Sequence, residues 1–331
     1  MKIVHVPTEI AGQMQTMVNG LRLAGHESNG YNWFLSYLNY SGDINITDAY
    51  ELIRIVDPIA RYADVIHFHN GNSFLANNID LPLLYANGKA MVMHHWGNDV
   101  RTKKITALLN PYQIPASYFT DERIHQNLMF TSKYIKHAIV QDYELYPHVA
   151  DYYEHVHILP LACKLEDIPF VYPSIDNRNP LIIHAPTNRE FKGSEYVEKA
   201  IAELKRTKRF EYRAIEKMSH REAMKTYLTA DIIVDQILCG TYGMLSVEAM
   251  AMGKVVVAFV RDDVRAKFPP ELPIVVANPD TISAVLATLI DQPEARHNLG
   301  IAGRYYVEKY HSLSYITPKL LDIYNSAKGG G

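Results

Sequence analysis

Residues 240–253 read GTYGMLSVEAMAMG, and Glu248 is the one charged side chain in this small, apolar segment. A carboxylate buried among alanine and methionine is costly unless something pairs with it. The pattern is that of a turn followed by a short helix, which Gly253 stops. The amides of Gly243, Met244 and Leu245 open that helix and can hold a phosphate against its positive end. Glu248 lies about one turn further in, where a carboxylate can accept both hydrogen bonds of a vicinal diol such as a ribose. The segment is then small where it packs and acidic where a nucleotide would lie. A structural glutamate bonded to nearby backbone is the alternative.

Other polar clusters follow apolar runs elsewhere in the chain. HAPTNREFKGS at 184–194 places Thr187, Asn188, Arg189 and Lys192 after a strand. Arginine supplies a fork of donors and lysine a point charge, a pair suited to a diphosphate; a solvated surface pair is the other reading. Asp235 and Gln236 end the DIIVDQ strand just before the glycine turn. In the first half, Gly12 stands in PTEIAGQMQ just ahead of a helix, where a backbone could approach a phosphate, although a lone glycine fits a plain loop equally well. His67, His69 and Asn70 close DVIHFH, and HHWGNDVR puts His94, His95, Asn98, Asp99 and Arg101 at the next strand end. Clustered histidines suggest zinc. Strand alternation, however, sends neighbours to opposite faces, and no cysteine or H-E-x-x-H spacing joins them. The expectation is therefore hydrogen bonding to a polyol or phosphate, no metal, and core-facing His67 and His94. Neither a G-x-G-x-x-G nor a P-loop pattern is present.

The elements that must position these residues alternate along the chain. KIVHV at 2–6, DVIHFH at 64–69, KAMVMHH at 89–95, HAIVQ at 137–141 and HVHILPL at 155–161 read as buried parallel strands separated by amphipathic helices. KLEDIPFVYPSIDNRN at 164–179 breaks the rhythm with two prolines and reads as a linker. A second alternation follows: LIIHAP, a helix near 193–206, RFEYRA, a helix near 219–229, DIIVDQ and KVVVAFV, then a mostly helical tail from about 280. The expectation is α/β: residues 1–163 and 180–312 as two Rossmann-like, doubly wound parallel-sheet domains facing a central cleft. A helix at 313–328 would cross back to the first domain, and the terminal KGGG reads as an unstructured end. Ligands of such sheets bind beyond the carboxyl ends of the strands, so the cleft is the place for chemistry.

At 331 residues the chain suits two domains. A net charge of −3 gives no support for a nucleic-acid-binding surface. Cys163 and Cys239 cannot form a disulfide framework, the start MKIVHVPTEI has no signal-peptide pattern, and no apolar run approaches the roughly 18 residues of a membrane span. A cytoplasmic location is expected. Arg101, Lys103, Lys104, Arg123, Lys133 and Lys136 give 101–136 a basic, aromatic character that could lie against the inner face of a membrane; an ordinary solvated face is the alternative.

Together these stretches resemble the retaining GT-B glycosyltransferases of the family-4 type (glycosyl transferases group 1). The resemblance covers nearly the whole chain. It rests on AGQ at 11–13, HHWGNDVR at 94–101, HAPTNREFKGS at 184–194 and, most specifically, GTYGMLSVEAMAMGKVVVAF at 240–259. It implies transfer of a sugar from a nucleotide-diphosphate donor, UDP-sugar being expected, to a hydroxyl of a glycan or lipid-linked acceptor with retention of configuration. Arg189 and Lys192 would grip the diphosphate, Glu248 the ribose, and the Gly12 loop the phosphates or acceptor. His95 would touch the donor sugar or support the reacting centre, with His69, Asn70, Asn98 and Asp99 as further sugar or acceptor contacts. No bound metal or other cofactor is implied, because cationic side chains and the helix dipole do the electrostatic work. One position departs from the family pattern of two glutamates eight residues apart: the first, a donor-sugar contact, falls at Gly240. Asp235 or Gln236 could replace it. The rival readings are a GT-B-fold nucleotide-sugar epimerase and a non-catalytic sugar-nucleotide-binding protein.

Overall fold

The computed structural model describes residues 1–36, 38 and 42–329. The first sheet holds β1 (Lys2–Val6), β2 (Glu27–Asn32), β3 (Asn45–Ile46), β4 (Val65–His69), β5 (Ala90–His95), β6 (His137–Val140) and β7 (His155–Ile158), in the order β3-β2-β1-β4-β5-β6-β7. The second holds β8 (Leu181–His184), β9 (Glu211–Ala214), β10 (Ile232–Val234), β11 (Val255–Ala258) and β12 (Val275–Val276), in the order β12-β11-β10-β8-β9. Every pairing is parallel. Parallel sheets carry helices on both faces, so their central strands are apolar throughout; β10 (IIV) and β11 (VVVA) are buried at every residue.

Register decides which histidines meet. His5 pairs with His67 and His69 with His94, so these four lie on one face of the first sheet. That face packs Ile3, Val65, Val92 and Ile139 against Met17 and Leu21 of the Gln13–Leu23 helix and Leu320 and Tyr324 of the Leu313–Gly329 helix. His95 alternates to the other face, with the core of Val4, Ile66, Phe68 and Met93.

The chain crosses between the sheets twice, at neighbouring points. Cys163 and Ser312 form an isolated parallel bridge, and the Cys163 amide donates to the His311 carbonyl at 2.7 Å. After the second crossing, the Leu313–Gly329 helix lies on the first sheet through Leu320 and Tyr324. It continues through Lys328 and Gly329, so the terminal KGGG is helical at its start; Gly330 and Gly331 lie outside the described residues. Gln13 fixes the first helix to the crossover by a reciprocal pair, its Nε2 donating to the Ala162 carbonyl (3.0 Å) and its Oε1 accepting from the Ala162 amide (2.8 Å). A second contact between the domains forms at residues 238–241. There, Asn110 Nδ2 donates to the carbonyls of Leu238 and Cys239, and Thr241 Oγ1 donates to Asp142 Oδ2 at 2.7 Å.

The basic 101–136 stretch is not one continuous cationic face. Arg101 is buried and forms a two-pronged pair with Glu144 (3.0 and 2.7 Å), and Lys136 pairs with Glu154 at 2.6 Å. Burial makes the Arg101 head group a core element, leaving Lys103, Lys104, Arg123 and Lys133 exposed. No helix among the described residues is long and apolar enough to cross a membrane.

Candidate active site

A cavity of about 1170 Å3 separates the two sheets at the carboxyl ends of their strands. That exceeds the roughly 300–1,000 Å3 of a typical single-ligand site, and leaves room for two substrates. Its second-domain wall is built by the turn after β10 and the Met244–Ala251 helix, which Gly243 precedes. Glu248, buried, lines the cavity with Met244, Leu245, Thr187, Lys192 and His220. Glu248 Oε1 lies 2.6 Å from His220 Nε2. His220 is the first residue of the His220–Tyr227 helix, whose start is fixed by a capping box between Ser219 and Glu222. The helix therefore delivers the imidazole to the one acid of the apolar segment.

Lys192 ends the short Arg189–Lys192 helix. Its Nζ lies 2.5 Å from Asp235 Oδ1 and 2.9 Å from Gln236 Oε1. Asp235 is fully buried and also accepts from the Gly243 amide (3.2 Å) and Ser246 Oγ (2.7 Å). Burial pushes the Asp235 carboxyl up, but Lys192, Ser246 and the Gly243 amide outweigh it and hold the group below the ordinary aspartate range. The carboxylate thus occupies the Gly243 end of the helix, and Met244 and Leu245 supply the first-turn amides left for a ligand. Asp235 and Gln236 lie behind Lys192 and do not line the cavity among the described residues.

Three further expected contacts are placed differently. Arg189 turns away from the cavity, pairing with Glu216 and, at 2.7 and 2.8 Å, with Glu198. Its side chain is 47% exposed, so these bridges add at most about 1 kcal/mol each; the strand end fixed its position but not its direction. Asn188 caps that helix through the Phe191 amide at 2.9 Å. Gly12 takes a left-handed turn (φ 75°), yet first-turn amides of the helix it opens already donate to a carboxyl group. Glu9, which lines the cavity, accepts from the amides of Met14 (3.1 Å) and Gln15 (2.9 Å). Burial raises the Glu9 carboxyl to about 7 against those amide bonds.

His95 is buried on the core face, its Nδ1 2.7 Å from Asp99 Oδ2 and its Nε2 2.9 Å from the Tyr153 hydroxyl. It reaches the cavity only through Asp99, which lines it together with Asn70 and Asn98. Asp99 is held by the amides of Trp96 (3.1 Å) and Gly97 (3.0 Å).

His69 sits behind Trp96, and the hydrogen-bond directions around it are forced. An indole only donates, so Trp96 Nε1 gives its proton to His69 Nδ1 (3.3 Å). His69 Nε2–H then donates to His5 Nδ1 (3.1 Å), and His5 Nε2–H to the Tyr324 hydroxyl (3.2 Å). Tyr324 in turn donates to His67 Nδ1 (2.7 Å). His5, His67 and His69 bring three ring nitrogens within 4.8 Å of one another, the spacing of a metal site. The chain of donors nevertheless leaves His69 Nε2 and His67 Nε2 protonated and unable to ligate. Burial lowers all three, His5 to about 3, keeping the rings neutral.

Gly240 has φ 91°, and a Cβ there would stand 2.7 Å from Arg261 Cγ. The turn therefore has no room for a glutamate. Gly240→Ala is expected to destabilise the fold by about 1–3 kcal/mol through left-handed strain and the collision with Arg261. Urea denaturation showing unchanged stability would refute that account. The contacts missing from the sequence reading are His220, Glu9, Trp33 and Trp96, all at the cavity. His220 lies 28 residues before Glu248, with no spacing to join them.

No protein-family model matches the sequence, and no curated protein matches it. Solved structures do. The Anabaena HepE protein, solved in complex with UDP and glucose, superposes with a TM-score of 0.71 at 11% identity, covering 98% of this chain and 100% of that one. Sucrose-phosphate synthase from Thermosynechococcus elongatus gives 0.63 at 12%, covering all of both chains. WaaG, a glycosyltransferase involved in lipopolysaccharide biosynthesis, gives 0.61 at 12%, covering 98% and 99%. The two parallel sheets with their helices match the architecture of these proteins: the chain has the GT-B fold of the glycosyltransferases.

Proposed function

We propose that this chain is a glycosyltransferase that moves a sugar from a nucleotide-diphosphate donor, UDP-sugar first among them, to an acceptor hydroxyl with retention of configuration. The observation that carries the reading is the pairing of Lys192 with the Met244–Ala251 helix start and Glu248 along one wall of the cavity. A diphosphate would lie against Lys192 Nζ and the amides of Met244 and Leu245. The ribose would lie one turn further, its diol donating to Glu248. Lys192 would then neutralise the charge that develops on the leaving diphosphate, a task that needs no metal when a cation and a helix terminus are already placed. The HepE complex with UDP and glucose, on the same fold, supports the choice of uridine.

The acceptor side would be the first-domain wall. Asn70, Asn98 and Asp99 offer hydroxyl partners, and Trp33 and Trp96 offer flat apolar faces. Such a wall suits a glycan or a lipid-linked sugar, in keeping with the lipopolysaccharide role of WaaG. Synthesis of a glycoconjugate in the cytoplasm, with the chain free or resting on the inner membrane face, is the setting this implies.

Calorimetric titration of the purified protein with UDP, GDP and ADP tests the donor half directly. One nucleotide is expected to bind at micromolar strength without added metal, and chelator is expected to leave the titration unchanged. Binding of none of the three would sink the reading.

A further inference from the structure

A second cavity, of about 390 Å3, opens between the domains and shares no lining residue with the first. Its walls come from both domains and from the returning helix. Tyr242, Tyr306 and Tyr310 face Tyr143 and Tyr315, and the cations at its edge are Lys267 and Lys319. No carboxylate among the described residues lines it. Among the described residues neither lysine has an acidic partner within ion-pair distance. The nearby acid, Glu271, is already matched by Lys309 at 2.7 Å and by the Tyr310 hydroxyl. His311 adds a neutral donor-acceptor floor: its Nδ1 donates to the Leu161 carbonyl (2.7 Å), so its Nε2 accepts from the Tyr242 hydroxyl (3.1 Å).

We propose that this cavity is a binding site for a phosphorylated monosaccharide. Tyr143, Tyr310 and Tyr315, the partly exposed rings of the set, offer flat faces for the C–H surface of a pyranose, and the Tyr143 and Tyr315 hydroxyls offer partners for its polar edge; Tyr242 and Tyr306 are buried. Two lysines without acidic partners supply the charge for a phosphate. The volume falls within the range of small-molecule sites. An apolar ligand would leave the lysines unused, and a bare phosphate would leave the tyrosines unused.

The cavity also touches the loop that ends in Gly243. Tyr242 is part of its wall, and Gln141, another wall residue, donates to Asp142, which holds Thr241 across the domain boundary. An occupant therefore touches residues on both sides of that contact.

Glucose 6-phosphate, glucose and inorganic phosphate serve as probes, titrated calorimetrically into wild type, Lys267→Ala/Lys319→Ala and Glu248→Ala. Glucose 6-phosphate is expected to bind wild type and Glu248→Ala equally, and the double-lysine variant at least about tenfold more weakly, the loss of one or two charge-assisted contacts. Circular dichroism confirms that the double variant folds, as two exposed lysines allow. Failure of glucose 6-phosphate to bind wild type overturns the proposal. So does binding that survives the double variant or disappears with Glu248. Phosphate alone or glucose alone binding as tightly as glucose 6-phosphate would overturn it as well, since half of the site would then be idle.

Discussion

Glu248→Ala is expected to weaken UDP binding by between about ten- and a hundredfold while leaving the fold intact. A carboxylate accepting from a ribose diol makes hydrogen bonds to a charged group, each contributing about 1.5–3 kcal/mol, and part of that is returned when water fills the gap. The expected loss is nearer one such bond than two. The fold survives because the carboxylate, though buried, bonds to His220 at 2.6 Å, a residue that belongs to the cavity wall itself. Comparing UDP with 2′-deoxy- and 3′-deoxy-UDP isolates the contact. Wild type should lose affinity for the deoxy ligands, and Glu248→Ala should bind all three alike. If the variant still discriminates, the ribose is held elsewhere and Glu248 is a structural acid paired with His220.

The strands that position this site were legible because they are buried on both faces. β1, β4, β5, β6, β8, β10 and β11 fall within runs of β-branched and apolar residues, and solvation offers such runs no alternative. β2 was not legible: ESNGYN carries no apolar signal, and its small polar side chains pair beside β1 near the sheet edge. β12 spans two residues, too few for any periodicity. At the site, Glu248 could be found from the sequence because a single acid in an apolar helix is itself an anomaly. The direction of Arg189 could not. Its strand-end position was visible, but Glu198 and Glu216, which draw it to the surface, sit on separate elements. His94 and His95 show the same limit. Alternation says that they face opposite ways, and only the register with His69 decides that His95 points into the core. His220 became visible only when two helices from different parts of the chain met.

Lys192→Ala is expected to reduce turnover by about 10²–10³-fold, the usual effect of deleting one preorganised group that stabilises a developing charge. The same substitution should also destabilise the fold, and the reason lies behind the cavity wall. Asp235 is fully buried, and among the described residues Lys192 is its only cation. Removing one partner of a buried pair leaves an uncompensated charge, typically about 3–5 kcal/mol, here lessened by Ser246 Oγ and the Gly243 amide, which still donate. The two effects separate in Lys192→Ala/Asp235→Asn. With no charge left to bury, stability should return, and activity should not. The pH dependence has a definite sign. In wild type the carboxyl of Asp235 lies below its ordinary value near 4, so the stability it contributes is present above that pH and is lost as pH falls through the native value. In the variant, burial acts without its counterweight and raises the same carboxyl. Protonation then relieves the buried charge, and the gap between variant and wild type should narrow as pH is lowered from neutral towards 5. Urea denaturation at pH 7 and pH 5 measures that gap. A constant gap would mean that Lys192 supports the fold through packing alone, while a double variant that regained turnover would remove Lys192 from the chemistry.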